Sequence, residues 1–316
     1  MFLSDPHATI RLDRRKFMGI AAGLVAAGVL PSSVLALAGP HSFKHGAFDL
    51  TVVSDGNLEL PLTIVSKDAP PEEIAKLVGA MAKGDKFYPE VNVVVAKSGS
   101  DMILFDAGAG SGMAASAGKL AESLKAAGID PAAITKVVFT HAHPDHLFGA
   151  VGADGKSVYA NASFHMAENE LNFWSPPDLA SKMPEGMQGM VKGIQGSLTA
   201  LKDKLVTFKG GTELLPGVGV IDTPGHTPGH VSFELAGGDG LVLVGDAITV
   251  PGVFFAHPDW AFGFDADGSM AGKSRRMLLE AAATGKKKML GYHWAYPGLG
   301  MAEAKDGAFV YVSVVM

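Results

Sequence analysis

The segment Thr140-His141-Ala142-His143-Pro144-Asp145-His146 packs three imidazoles and one carboxylate into its last six residues. Imidazole nitrogen and carboxylate oxygen are ligand atoms for zinc and its divalent neighbours. His141 and His143 stand two apart and can point the same way from an extended backbone. Asp145 and His146 lie beyond a turn and can aim at a second ion. More donors of the same types follow at a distance: His226 in Thr223-Pro224-Gly225-His226-Thr227-Pro228-Gly229-His230, Asp246 in Gly245-Asp246, and His293 after Met289–Tyr292. Each sits at a strand end or in a loop, where reactive groups concentrate. The chain has no Cys, which excludes thiolate catalysis, disulfide scaffolds, Cys zinc sites and iron–sulfur clusters.

These donors need strands to deliver them. Runs rich in Val, Ile and aromatics, bounded by Gly, Ser or Asp, predict strands at 48–53, 91–97, 102–105, 136–140, 218–222, 231–235, 241–244, 289–292 and 309–315. Helical spacing predicts helices over 113–127, 167–174, 187–204 and 269–283. Strands alternating with helices in two successive blocks imply a layered α/β domain. The loop Gly108-Ala-Gly110-Ser-Gly112 follows a strand like a dinucleotide-binding turn, but it lacks the third glycine of that fingerprint. Asp106, at the end of the preceding strand, reads either as a carboxylate supporting a metal ligand or as a helix N-terminal partner.

With 316 residues, 47% of them hydrophobic, the chain can bury a large core and is not a disordered protein. Residues 1–38 read as a leader. Arg14-Arg15-Lys16 precedes an uncharged run from Phe17 to Leu30, and Ala36-Leu37-Ala38 offers small residues at a cleavage bond. Arg14-Arg15-Lys16-Phe17 is similar to a twin-arginine export signal, so the precursor is expected to meet that machinery and the mature protein to be periplasmic or secreted. The apolar run is too short for a stable membrane span. The leader carries +2 and the whole chain −6, leaving −8 on residues 39–316. An acidic protein is a poor nucleic-acid binder.

His-x-His-x-Asp-His followed by a later His, Asp and His resembles the ligand pattern of the metallo-β-lactamase-fold hydrolases. The resemblance runs from Ser54-Asp55-Gly56 through Phe105-Asp106-Ala107-Gly108 to Tyr292-His293. Leu124–Gly128, His226–His230 and Pro297–Gly300 look like segments of the exported methyl parathion hydrolase-like branch. The resemblance implies a four-layer αβ/βα sandwich over residues 39–316, with two divalent ions at one edge. The metals would be Zn2+, with Mn2+, Fe2+ or Co2+ as alternatives. It places His141, His143 and His226 on the first ion, Asp145, His146 and His293 on the second, and Asp246 between them. Two such ions, the carboxylates of Asp145 and Asp246 and a bridging hydroxide sum to about +1, suited to a neutral ester, lactone or phosphotriester. Family β-lactamases generally lack an Asp at the Asp246 position, which makes that activity, or a non-catalytic periplasmic binding protein, the alternative. Trp174 matches an aromatic that lines the leaving-group pocket in that branch; a core Trp is the other reading. The apolar stretch Val253 to Phe264, with Phe254 and Phe255, is expected to wall the substrate pocket, pack structurally or form an oligomer contact such as a homodimer.

Overall fold

A computed structural model describes residues 38–316, and the leader reading therefore falls, apart from Ala38, outside the described residues. The chain opens with a hairpin of β1 (His41–His45) and β2 (Phe48–Asn57). A three-stranded lip, β3 (Leu60–Pro61), β4 (Ala82–Lys83) and β5 (Lys86–Phe87), encloses α1 (Pro71–Val78). Five strands then complete the first sheet: β6 (Glu90–Ser98), β7 (Asp101–Phe105), β8 (Lys136–Val138), β9 (Ser163–Ala167) and β10 (Leu205–Phe208). Its order is β1-β2-β6-β7-β8-β9-β10, antiparallel from β1 to β7 and parallel from β7 to β10. Helices α2 (Leu120–Ala126), α3 (Pro144–Leu147), α4 (Glu168–Trp174), α5 (Leu179–Lys182) and α6 (Glu185–Leu201) lie in its connections.

The second sheet follows chain order: β11 (Glu213–Leu215), β12 (Val218–Asp222), β13 (Val231–Leu235), β14 (Leu241–Gly245), β15 (Lys288–Gly291), β16 (Leu299–Lys305) and β17 (Ala308–Ser313). Helices α7 (Pro251–Phe254) and α8 (Gly268–Gly285) join the parallel pair β14 and β15.

Period-two alternation sorts the core into three apolar layers. In β2, Phe48, Leu50 and Val52 face the second sheet, where Phe233, Leu243 and Leu290 meet them. Val53 faces the opposite way, with Val93, Val95, Leu124 and Ile194 under α2 and α6. On the far side of the second sheet, Val242, Val244 and Met289 pack on Leu278 and Leu279 of α8. Helix, sheet, sheet, helix is the four-layer α/β sandwich expected.

The helix expected over 113–127 shrinks to α2. Gly112 and Gly118 take φ of 104° and 76°, and a Cβ on Gly118 would lie 2.3 Å from the Gly110 carbonyl oxygen. That loop is held instead by Asp55, whose buried carboxylate accepts from the backbone N–H groups of Ala109, Gly118 and Leu120. Strands β1, β3, β4, β5, β9, β10, β11 and β16 and helices α1, α3, α5 and α7 lie outside the strands and helices expected from the sequence. Among the described residues, no helix is long and apolar enough to cross a membrane.

Candidate metal centre

The donors converge at one edge, where both sheets end. β8 runs into the loop carrying His141 and His143, and α3 carries Asp145 and His146. β12 leads to His226, β14 to Asp246 and β15 to His293. Gly245 takes φ 53°, and a Cβ there would lie 2.8 Å from His230 Nε2. That close approach lets the chain turn so that Asp246 faces the centre.

Three overlapping groups bring a donor atom from each member within 4.8 Å of one another: His141, His143 and His226; His141, His146 and Asp246; Asp145, His146 and His293. His143 Nδ1 lies 2.9 Å from His226 Nε2. His226 Nε2 and His293 Nε2 each stand 3.3 Å from Asp246 Oδ2, and His146 Nε2 stands 3.2 Å from Asp246 Oδ1. His293 Nε2 is 3.2 Å from Asp145 Oδ2. Asp246 thus sits between the two outer groups.

Bonds on the outer face of each imidazole fix its tautomer. His146 Nδ1 donates to Asp106 Oδ2 at 2.9 Å. His293 Nδ1 donates to the Glu90 carbonyl at 2.7 Å, and His226 Nδ1 to Asp265 Oδ1 at 3.2 Å. The Thr140 hydroxyl donates to Asp106 Oδ2 at 2.8 Å and accepts from His141 Nδ1 at 3.0 Å. In its neutral form each of these four rings presents an Nε2 lone pair inward. His141 Nε2, His146 Nε2 and Asp246 Oδ1 are buried and make no hydrogen bond. Converging buried lone pairs without donors are costly, and divalent cations satisfy them all. The residues fit bound divalent metal on this ground.

The electrostatics have two faces. Burial, then the neighbouring rings His146 and His143, holds His141 well below the usual imidazole range. Burial and His226 press His143 down to about 3. Burial opposes charge on His146 and His293 too, but carboxylates outweigh it. Asp246, Asp145 and Asp106 lift His146 well above its ordinary value, and Asp246 with Asp145 lifts His293 to about 10. The side nearest the carboxylates demands positive charge, which protons or cations can supply.

Asp106 is the supporting carboxylate rather than a helix partner, since residues 106–119 form no helix. It takes φ 59° without being glycine, held there by the Thr140 N–H and hydroxyl and by His146. His230 lies beneath the centre: its Nε2 accepts from the Asp246 N–H at 3.0 Å and its Nδ1 donates to the Thr223 hydroxyl at 2.8 Å.

Trp174 is 2% exposed and stands edge-on to His143 with ring centres 5.9 Å apart. It borders the centre while packing as core. Phe254 and Phe255 correct the expectation of a pocket wall. Both rings are buried on the far side of the second sheet. Phe254 stacks under the Arg275 guanidinium at 4.0 Å, and Phe255 packs edge-on against Trp294 and Tyr311. Pro251 begins a short helix, and both side chains pack in the apolar layer that α8 covers. From that stretch, Phe262 stacks on His226 at 6.2 Å and Phe264 is exposed.

Several supporting residues escaped the sequence reading. Glu170 accepts at once from the loop that carries His141 and His143 and from the loop that carries His226. Asp265 orients His226 and is itself held by the Phe262 N–H and by fully buried Arg275, which also donates to the carbonyls of Ala247, Pro258 and Trp260. Tyr292 stacks on His146 at 3.9 Å and donates to the Asp145 carbonyl at 2.7 Å. Isolated acids in a helix or turn carry no local signal of such roles.

A four-layer sandwich with a His/Asp centre at the shared sheet edge defines a class of metal-dependent hydrolases. Residues 89–293, more than half of the chain, match the Metallo-beta-lactamase superfamily, and the chain belongs to that family. Two solved structures superpose with a TM-score of 0.81 at 28% identity, covering 88% of this chain and 98% of theirs. One is the hydrolase AbOPH of the beta lactamase superfamily; the other is AidC, a dizinc quorum-quenching lactonase in complex with a hexanoyl-homoserine product. A probable metal-dependent hydrolase from Staphylococcus aureus shares the fold at 18% identity and TM-score 0.71, covering 87% of this chain and all of that one. Among curated sequences, the uncharacterized protein YobT of Bacillus subtilis (strain 168) is 30% identical over 132 residues, which is 41% of this chain. The matched region spans 54% of YobT, about half its length.

Proposed function

We propose that the protein is a dinuclear metal hydrolase of neutral carbonyl esters, with lactones foremost and aryl esters and phosphotriesters as further substrates. The carrying observation is the convergence of seven His and Asp donors at one sheet edge, in three overlapping groups. Likeness to a dizinc lactonase over nearly the whole of that chain supports the lactone choice. His141, His143 and His226 would hold one ion, Asp145, His146 and His293 the other, and Asp246 both, with zinc the metal most suited to imidazole and carboxylate. Bound there, the ions would supply a nucleophilic water at neutral pH and polarise the substrate carbonyl.

The chain's own groups do the rest. Asp145 keeps 7% exposure, and its carboxylate would take the proton released by the attacking water. The Trp174 ring beside His143 would border the leaving group or acyl chain. The mature protein would work in the periplasm or outside the cell, exported through the Arg14-Arg15 signal.

The test is kcat/KM for an acyl-homoserine lactone, an aryl ester, a phosphotriester and a penicillin on one zinc-loaded batch. We expect the lactone or aryl ester to lead. A penicillin ahead by about tenfold, roughly 1.4 kcal/mol of transition-state preference, overturns the reading.

A further inference from the structure

We infer that Glu170 is a positioning residue that builds the first donor group, His141, His143 and His226, while leaving the second untouched. The inference rests on the dinuclear reading above. Glu170 is 0% exposed at the start of α4, and both its oxygens are fully engaged. Oε1 accepts from the Ala142 N–H at 2.9 Å and from the Trp174 indole N–H at 2.7 Å. Oε2 accepts from the Thr227 hydroxyl at 2.7 Å and the Gly229 N–H at 3.1 Å.

The placement of these four donors is selective. Ala142 lies between His141 and His143, and Thr227 follows His226. One carboxylate therefore pins together the two loops that carry the first group, although 83 residues separate His143 from His226. Asp145, His146 and His293 take their support elsewhere, from Tyr292, Asp106 and the Glu90 carbonyl. Gly229 fits the same picture, because a Cβ there would lie 2.0 Å from the Glu170 backbone nitrogen. The loop after His226 thus packs directly on the first turn of α4. Trp174, one turn further along α4, is fixed by the same oxygen that holds Ala142, so the ring beside His143 is set by the carboxylate that sets the ligand loops.

Four donors on one buried acceptor also explain why a carboxylate is needed. An amide in its place would turn an N–H pair toward two of those donors and lose both bonds. Loss of such an outer contact typically weakens metal binding by about 10–100-fold.

The experiment is titration of Co2+ into the metal-free full chain, followed by its visible d–d absorption and by competition with a chelator. The wild type should bind two ions. Glu170→Gln should weaken one binding step by about 10–100-fold and leave the other within about threefold. The bands it loses should be those that His293→Ala keeps. Thr227→Val removes a single bond and should weaken the same step by less, which decides the matter if Glu170→Gln does not fold. Both steps weakened alike, or neither, in the folded variant overturns the inference. A wild type that binds fewer than two ions overturns the dinuclear reading itself, an outcome separate from the first.

Discussion

The two halves of the sandwich supply the centre in different ways. The first sheet delivers His141, His143, Asp145 and His146 from one loop and one short helix directly after β8. The second delivers His226, Asp246 and His293 from the ends of three separate strands. The first set is supported by Asp106, which reaches Thr140 and His146 from the end of β7, 34 and 40 residues upstream. The second is supported separately at each donor: Asp265 and Arg275 behind His226, the Glu90 carbonyl behind His293, and His230 beneath Asp246. A contiguous loop can be ordered by its own turn, whereas dispersed ligands depend on the packing of the whole sheet.

The largest effect should come from Asp246, the point where the halves meet. Asp246→Ala is expected to lower bound metal from about two ions to below one and to cut kcat/KM by about a thousandfold or more. Elemental analysis and turnover on one batch check it, and a variant with both ions and near-normal turnover would remove the bridging role.

The next probe is Arg275, buried against three carbonyls and Asp265. Arg275→Met leaves the Asp265 carboxylate buried and unpaired, at a cost of about 3–5 kcal/mol. Urea unfolding should register that loss, with metal released from the His226 side first. If stability is unchanged, the second half does not depend on that packing.

Asp55 tests the loop beneath the first half. Burial pushes its carboxyl up to about 6, against three backbone N–H donors. The native state therefore holds a proton that the unfolded chain releases near its ordinary value of 3.8. Stability linked to this group is full below about pH 4 and is lost as pH rises through about 6, a change of about 2–3 kcal/mol. Asp55→Asn should flatten that part of the stability–pH curve, measured by denaturant midpoints. An unchanged slope would show that Asp55 is ionised in the native state throughout.

The smallest effect separates wall from core. Trp174→Ala should lower kcat/KM for aryl esters by about tenfold and leave small lactones less affected, since one apolar contact is worth about 1–3 kcal/mol. Phe255→Ala should do the reverse, lowering Tm and leaving the ratio between the two substrates unchanged. Equal substrate ratios in both variants would deny Trp174 its place beside the substrate.

The sequence by itself determined which residue types gather at the centre. His-x-His-x-Asp-His is legible because its ligands are neighbours in the chain, and period-two apolar runs mark most strands because alternation is a local property. It also placed His226, Asp246 and His293 at strand ends, where turn residues announce them. Only the tertiary structure decided which carboxylates and cations support these ligands, because Glu170, Asp265 and Arg275 act across folds of the chain that no local spacing records. It also decided that Phe254 and Phe255 are core. An aromatic run has the same composition whether it lines a pocket or fills a layer, and the difference lies in where α7 turns its side chains once α8 and β14 are packed.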